Sequence, residues 1–210
     1  MKRAIIFDFD GVIINSEQSR YNVISDICSK NSIILKSEKV IDIAGKTTRL
    51  FLETYVTPND KSIIDGLIEQ YNREYKDNII NYINPIMSTC AFLRKCNNRQ
   101  KFALVTMSDK KVVDIVLDYL KLDNIFKTII TKDMVISHKP NPECYLLCLQ
   151  KLGLVASECV VIEDSRIGAE AANLAGIDCF VVMNGSNSVD DFIGINIAGY
   201  INEEDYTNIV

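Results

Sequence analysis

Ala4-Ile5-Ile6-Phe7-Asp8-Phe9-Asp10-Gly11-Val12 is an apolar run that ends in two carboxylates one residue apart. A strand that is apolar on both faces belongs inside a parallel sheet. Carboxylates at its exit are costly unless something pairs with them. Side chains at i and i+2 of an extended chain point the same way. A strand over residues 3–9 therefore predicts that Asp8 and Asp10 aim at one point beyond the sheet edge. Gly11 lets the backbone turn sharply and come close to a ligand, and ligands of open α/β sheets bind at the carboxyl ends of strands. The arrangement suits a hard cation and a phosphorylated substrate, with one carboxylate as nucleophile and the other as proton carrier. Asp-x-Asp also occurs in plain surface turns, and three segments downstream decide between the two readings.

From about Glu17 to Tyr82 the helical signals dominate and no strand is expected. Tyr21, Ile24, Ile27 and Cys28 form an apolar stripe at helical spacing, as do Ile63, Ile64, Leu67, Ile68 and Tyr71 after the Pro58-Asn59-Asp60 turn. From Pro85 onward short helices and strands alternate. Helices are expected at Met87–Cys96, Val112–Leu120, Glu143–Leu152 and Ile167–Ala175, the last closed by Gly176. Strands are expected at Phe102–Val105, Thr128–Ile130, Cys159–Ile162 and Cys179–Val182. The pattern predicts an α/β fold, a Rossmann-like doubly wound parallel sheet over residues 1–15 and 85–210 with an inserted helical domain over 16–84. The tail beyond Gly185 carries only a weak signal.

The 210 residues suffice for such a domain with an insertion, and the net charge of −5 argues against general nucleic-acid binding, which needs a basic face. No apolar stretch approaches the ~20 residues of a membrane span. Met1-Lys2-Arg3-Ala4 runs straight into the first strand without a cleavage-site pattern, so a cytoplasmic location is expected. Seven cysteines, Cys28, Cys90, Cys96, Cys144, Cys148, Cys159 and Cys179, include no Cys-x-x-Cys pair. Cys144 and Cys148 stand among Tyr145, Leu146 and Leu147 and read as core thiols; with His138 the sole histidine, a zinc site is not expected.

Three further groups map to strand exits or adjoining loops. Thr106 closes Ala103-Leu104-Val105 and either holds a phosphate oxygen or caps the next helix; Ser108 and Asp109 are rival caps, and Ser108 is also a candidate substrate contact. Lys139 lies in His138-Lys139-Pro140-Asn141-Pro142, where two prolines fix the backbone and place a positive charge able to neutralise phosphate and carboxylates. The alternative is an ordinary solvated lysine. Glu163 and Asp164 end Val160-Val161-Ile162 as a second acidic pair. Mg²⁺ needs one or two carboxylates beside the substrate phosphate, and Asp164 is the expected second ligand. Glu163 either binds through water or steers its neighbour. The alternative is a charged first turn complementing a helix dipole.

The ordered set resembles the haloacid dehalogenase superfamily, over nearly the whole chain. Asp8-Phe9-Asp10-Gly11-Val12 is similar to its first motif, Thr106 to its second and Lys139-Pro140-Asn141-Pro142 to its third. Glu163-Asp164-Ser165 with Gly168, Ala171-Ala172 and Ala175-Gly176 is similar to the fourth, in the form of the β-phosphoglucomutase-like branch. The inserted helices resemble that branch's cap. The resemblance implies that Asp8 is the nucleophile and becomes an aspartyl-phosphate, that Asp10 protonates the leaving oxygen and then activates water, and that Thr106 and Lys139 hold the phosphoryl group. It implies Mg²⁺ on Asp8, Asp164 and the backbone carbonyl of Asp10. Dehalogenases of the superfamily typically lack the second aspartate, so Asp10 favours phosphate chemistry.

The expected activity is thus a Mg²⁺-dependent phosphatase acting on a small phosphorylated metabolite. A sugar-phosphate mutase is the nearest rival. Phosphonoacetaldehyde hydrolysis, with Lys46 as Schiff-base lysine, and a non-catalytic binding module are further alternatives. Gly45-Lys46-Thr47-Thr48-Arg49 resembles the branch's substrate-facing cap loop, with Gly45, Lys46 and Thr47 as candidate contacts; the other reading is a helix start capped by Thr47 or Thr48. Asn15-Ser16-Glu17 departs from the branch's usual Asp-Ser-Glu. His138 stands where glycine is frequent and either fills space or touches substrate, the first being the expectation.

Overall fold

The computed structural model describes residues 2–95, 100–202 and 206. Two compact units emerge, residues 1–14 with 85–210 and residues 15–84. The chain opens on β1 (Ala4–Phe7), fully buried. The second unit then supplies α1 (Ser16–Lys30), β2 (Ile34–Leu35), α2 (Thr48–Tyr55), β3 (Val56–Thr57) and α3 (Lys61–Asp77). The first unit resumes with α4 (Met87–Lys95), β4 (Lys101–Val105), α5 (Lys110–Leu120), β5 (Phe126–Ile130), α6 (Glu143–Leu152), β6 (Cys159–Glu163), α7 (Arg166–Leu174), β7 (Asp178–Met183) and β8 (Gly199–Asn202).

Six strands form one sheet in the order β5-β4-β1-β6-β7-β8, with every pairing parallel. Strand order reverses at β1, because the chain adds β4 and β5 on one side and β6, β7 and β8 on the other. Crevices at such a switch point are where open α/β sheets take ligands. Alternation along β1 explains the two covered faces. Ala4 and Ile6 join the cluster of Cys144, Tyr145, Cys148 and Leu149 from α6 and Ala169, Ala171 and Ala172 from α7. Phe7 instead meets Phe92 of α4 at 6.2 Å and Phe102 edge-on at 5.5 Å between ring centroids. The sheet is therefore doubly wound, as its sequence pattern predicts.

In the helical unit α1, α2 and α3 pack Val23, Ile24, Ile27, Phe51, Leu52, Ile64 and Leu67 into their own core. Its helix starts are capped by side chains: Asn15 accepts from the Gln18 N–H, Thr47 from Leu50, and Asp60 from Ser62 and Ile63. Asn15 thus serves as an N-cap. Two expectations need correction, the strand-free helical unit and the end of β1, and the weakly patterned tail gains an element. The helical unit does contain strands, since β2 and β3 pair antiparallel; at two residues each they show no period to read. The tail forms β8, an edge strand parallel to β7. β1 ends at Phe7 rather than residue 9, so Asp8 and Asp10 lie past the regular strand. The expected helix end at Cys96 lies outside the described residues. The other six cysteines are free and buried. Among the described residues no helix is long and apolar enough to cross a membrane.

Candidate active site at the carboxyl edge of the sheet

Asp8 continues the β1 ladder, its N–H donating to the Ile162 carbonyl at 2.9 Å. With β4 and β6 flanking β1, this register puts Asp8 level with Val105 and Glu163, and Thr106 one residue further along. Lys139 closes the group from a loop. Its Nζ lies 2.7 Å from Asp8 Oδ1, 2.6 Å from Glu163 Oε1 and 3.2 Å from the Val105 carbonyl oxygen. The side chain is only 4 % exposed, which overturns the solvated-lysine alternative. The loop is pinned from α6: the Glu143 carboxylate accepts the N–H groups of Ile136 and Ser137 at 2.9 and 2.8 Å, while Asn141 Oδ1 accepts the Glu143 N–H at 3.0 Å. Those backbone bonds hold the Glu143 carboxyl below its ordinary range.

Glu163 is fully buried. Oε1 accepts from Lys139 and from the Tyr145 hydroxyl at 2.9 Å; Oε2 accepts from the Asp164 N–H, the Ser165 N–H and the Ser165 hydroxyl. This dense bonding places Glu163 as a holder of its neighbours. Gly168 leaves it room, since a Cβ there would sit 1.8 Å from Glu163 Oε1. The Tyr145 ring also lies 5.1 Å from Lys139 Nζ, a cation–π distance.

Asp164 packs its carboxylate against Gly11, where a Cβ would come within 1.7 Å of Oδ2 and the backbone φ is +72°. The close approach that Gly11 permits is thus to Asp164. Asn184 Nδ2 donates to Asp164 Oδ2 at 2.9 Å and to the Gly11 carbonyl at 3.1 Å. Asp10 points elsewhere: its Oδ2 accepts the Ser108 hydroxyl at 2.7 Å and the Thr106 hydroxyl at 3.3 Å. The two aspartates of the first motif therefore have different partners, because the chain bends after Phe7. Thr106 Oγ1 also accepts the Ser108 N–H at 2.9 Å. Asp109 occupies the N-cap position of α5 without a side-chain cap bond and pairs with Lys132 at 2.7 Å.

Burial raises Asp8 well above the ordinary carboxylate range, reinforced by Glu163 and opposed by Lys139. Asp164 is pushed up to about 8 by burial and then by Glu163, with the Asn184 bond pulling the other way. Burial alone would lower Lys139; Asp8 and Glu163 outweigh it and raise it, so the lysine stays charged. One cation thus faces more carboxylates than it can neutralise. Asp8, Glu163 and Asp164 each offer an oxygen, all within 4.8 Å of one another. All-oxygen donors suit Mg²⁺ or Ca²⁺. With Glu163 occupied by its own hydrogen bonds, Asp8 and Asp164 are the carboxylates that fit such an ion.

Tyr145 and Asn184 escape the sequence reading of the site, and Ser165 is read there only as part of the fourth motif. Tyr145 sits at core spacing on a helix, and nothing local marks its hydroxyl. Asn184 does carry a signal, a polar amide just past the apolar strand Val181-Val182-Met183. His138 is exposed, so it does not fill a gap in the core; its carbonyl accepts the Asn141 N–H at 3.0 Å. In the helical unit Gly45 has a positive φ of +65°, Lys46 Nζ donates to the Asp42 carbonyl at 2.7 Å, and Thr47 caps α2 at 3.2 Å from Leu50 N.

A doubly wound sheet whose switch point gathers a buried lysine and three carboxylates defines a hydrolytic or group-transfer enzyme of the α/β class. The profile of the haloacid dehalogenase-like hydrolases matches residues 5–182, and the chain belongs to that family. It is 33% identical to YhcW of Bacillus subtilis (strain 168), a protein assigned as a phosphatase, over 88% of this chain and 84% of that one. It is 25% identical to the fructose-1-phosphate phosphatase YqaB of Escherichia coli (strain K12), over 83% of this chain and 93% of that one. A Thermotoga maritima structure assigned as a β-phosphoglucomutase matches with a TM-score of 0.81 at 26% identity, covering 100% of this chain and 98% of that one.

Proposed function

We propose that the protein is a Mg²⁺-dependent phosphatase that hydrolyses a small phosphorylated metabolite through an aspartyl-phosphate on Asp8. The observation that carries this reading is Lys139, buried between Asp8 and Glu163 at 2.7 and 2.6 Å. A buried lysine there neutralises a nucleophile and an incoming phosphoryl group together. Phosphoryl transfer is mostly positioning and charge stabilisation, which such a site supplies.

Lys139 engages Asp8 Oδ1 and leaves the second oxygen for attack on phosphorus. As that P–O bond forms, the ester P–O bond breaks and the leaving oxygen takes a proton from Asp10. In the second step Asp10 accepts a proton from water as the water attacks the phosphoaspartate; inorganic phosphate leaves and Asp8 is regenerated. Ser108 and Thr106 orient the Asp10 carboxylate, and Thr106 and Lys139 hold the phosphoryl oxygens. Asp8, Asp164 and the Asp10 carbonyl would hold Mg²⁺, which would neutralise further phosphate charge. The helical unit is assigned the part of a substrate-selecting cap with Gly45, Lys46 and Thr47 as contacts, on the sequence resemblance. A cytoplasmic location belongs to the same proposal.

Phosphate release from a panel of phosphorylated metabolites, with Mg²⁺ and with EDTA, tests the reading. Release that needs Mg²⁺ and is lost in Asp8→Asn supports it; absence of release from every ester overturns it. The Thermotoga maritima likeness favours one rival, a sugar-phosphate mutase, which would isomerise glucose 1-phosphate in the presence of a bisphosphate primer instead.

A further inference from the structure

Asp164 is held from three sides. Asn184 Nδ2 donates to its Oδ2 at 2.9 Å, Asn187 Nδ2 donates to its backbone carbonyl at 2.6 Å, and its own N–H donates to Glu163 Oε2 at 3.2 Å. The Asn184 amide is itself fixed. Its Oδ1 accepts the Ser186 N–H at 3.0 Å, which leaves Nδ2 to bridge Asp164 Oδ2 and the Gly11 carbonyl. Oδ2 is also the atom lying where a Gly11 side chain would be. One carboxylate oxygen is therefore tied to the protein and backed against the Gly11 turn.

We infer that Asn184 makes Asp164 a one-oxygen ligand and so sets the site's preference for Mg²⁺ over Ca²⁺. This rests on the cation reading above. Mg²⁺ is small, demands near-octahedral geometry and keeps several waters, so single oxygens from few carboxylates suit it. Ca²⁺ takes more oxygens and gains from carboxylates that bind through both. A carboxylate with one oxygen committed to an amide donor cannot swing to offer both without breaking that bond. Glu163, with both oxygens committed, cannot make up the number. Asn184 touches neither the phosphoryl group nor the ion in this scheme and acts through Asp164 as a positioning residue.

The test titrates the full chain with MgCl₂ and with CaCl₂ separately, by calorimetry, in wild type, Asn184→Ala and Asn184→Asp. Metal-free melting checks the fold of each variant, and the near-isosteric aspartate serves if the alanine variant does not fold. Loss of an outer hydrogen-bond partner is expected to weaken Mg²⁺ by about tenfold or more. Ca²⁺ should weaken less or strengthen, so the Mg²⁺-to-Ca²⁺ affinity ratio falls in both variants. An unchanged ratio, whether both cations weaken equally or neither moves, overturns the inference while leaving the cation site standing. A wild-type protein that binds neither cation overturns the site itself.

Discussion

Lys139 and Asp8 are 131 residues apart in sequence and 2.7 Å apart in the fold, with Glu163 on the lysine's other side. The sheet order explains the meeting. β1 lies between β4 and β6, and the loop leading into α6 returns to the same carboxyl edge. A lysine buried this deeply is tolerated because carboxylates pair with it, and it offsets only part of the cost of gathering them there.

Lys139→Met should therefore unfold the protein more easily as well as inactivate it. Removing one partner of a buried ion pair leaves uncompensated charge and costs about 3–5 kcal/mol. Urea denaturation of the metal-free protein measures this. A variant with wild-type stability would mean that the carboxylates relax into solvent contact when the lysine is gone.

Asp8→Asn should abolish turnover and stabilise the metal-free protein. Burial and then Glu163 raise the Asp8 carboxyl, more than Lys139 lowers it, so its charged form is disfavoured in the fold. A neutral amide escapes that penalty. A higher melting temperature with no phosphate release is the expected pair of results. Near-wild-type release would remove Asp8 from the nucleophile role.

Tyr145→Phe keeps the ring 5.1 Å from Lys139 and deletes only the hydroxyl that donates to Glu163 at 2.9 Å. The buried carboxylate loses one of its donors, at about 1–2 kcal/mol. Tyr145→Ala also opens a cavity in the core and should cost about 3–5 kcal/mol. Chemical denaturation of the two variants side by side separates the hydrogen bond from the packing.

What the sequence makes legible follows from local patterning. β1, β4 and β6 are short apolar runs that end in polar residues, so both the sheet and the edge carrying Asp8, Thr106 and Glu163 can be read directly. Helical spacing likewise reveals α1 and α3. β8 escapes because Gly-Tyr-Ile-Asn buries only Ile201 and lies at the sheet edge; its place is set by Phe180, whose ring lies 2.8 Å from where a Gly199 Cβ would be. Within the site, residue type and place are readable but pairing is not. Asp8 and Asp10 look like twins until the bend after Phe7 sends one to Lys139 and the other to Ser108. Asn184 is marked only by its place just past an apolar strand, because its partner is a carboxylate 20 positions earlier.

Mg²⁺ should stabilise the protein more as the pH rises. In the metal-free fold Asp164 is pushed up to about 8, first by burial and then by Glu163. An unfolded aspartate titrates near ~4. The folded value lies above the unfolded one, so the folded state binds the proton more tightly. That contribution to stability is complete below about pH 4 and is lost as the pH climbs through about 8. Asp8 is raised in the same direction. A cation bound by these carboxylates displaces the proton and removes the like-charge cost, so proton and metal compete. The gain in melting temperature on adding saturating MgCl₂, against EDTA, should grow from about pH 5 to about pH 8. In Asp164→Asn the gain should be smaller and flatter. A wild-type gain that does not change with pH would show that the cation does not share its site with the Asp164 proton.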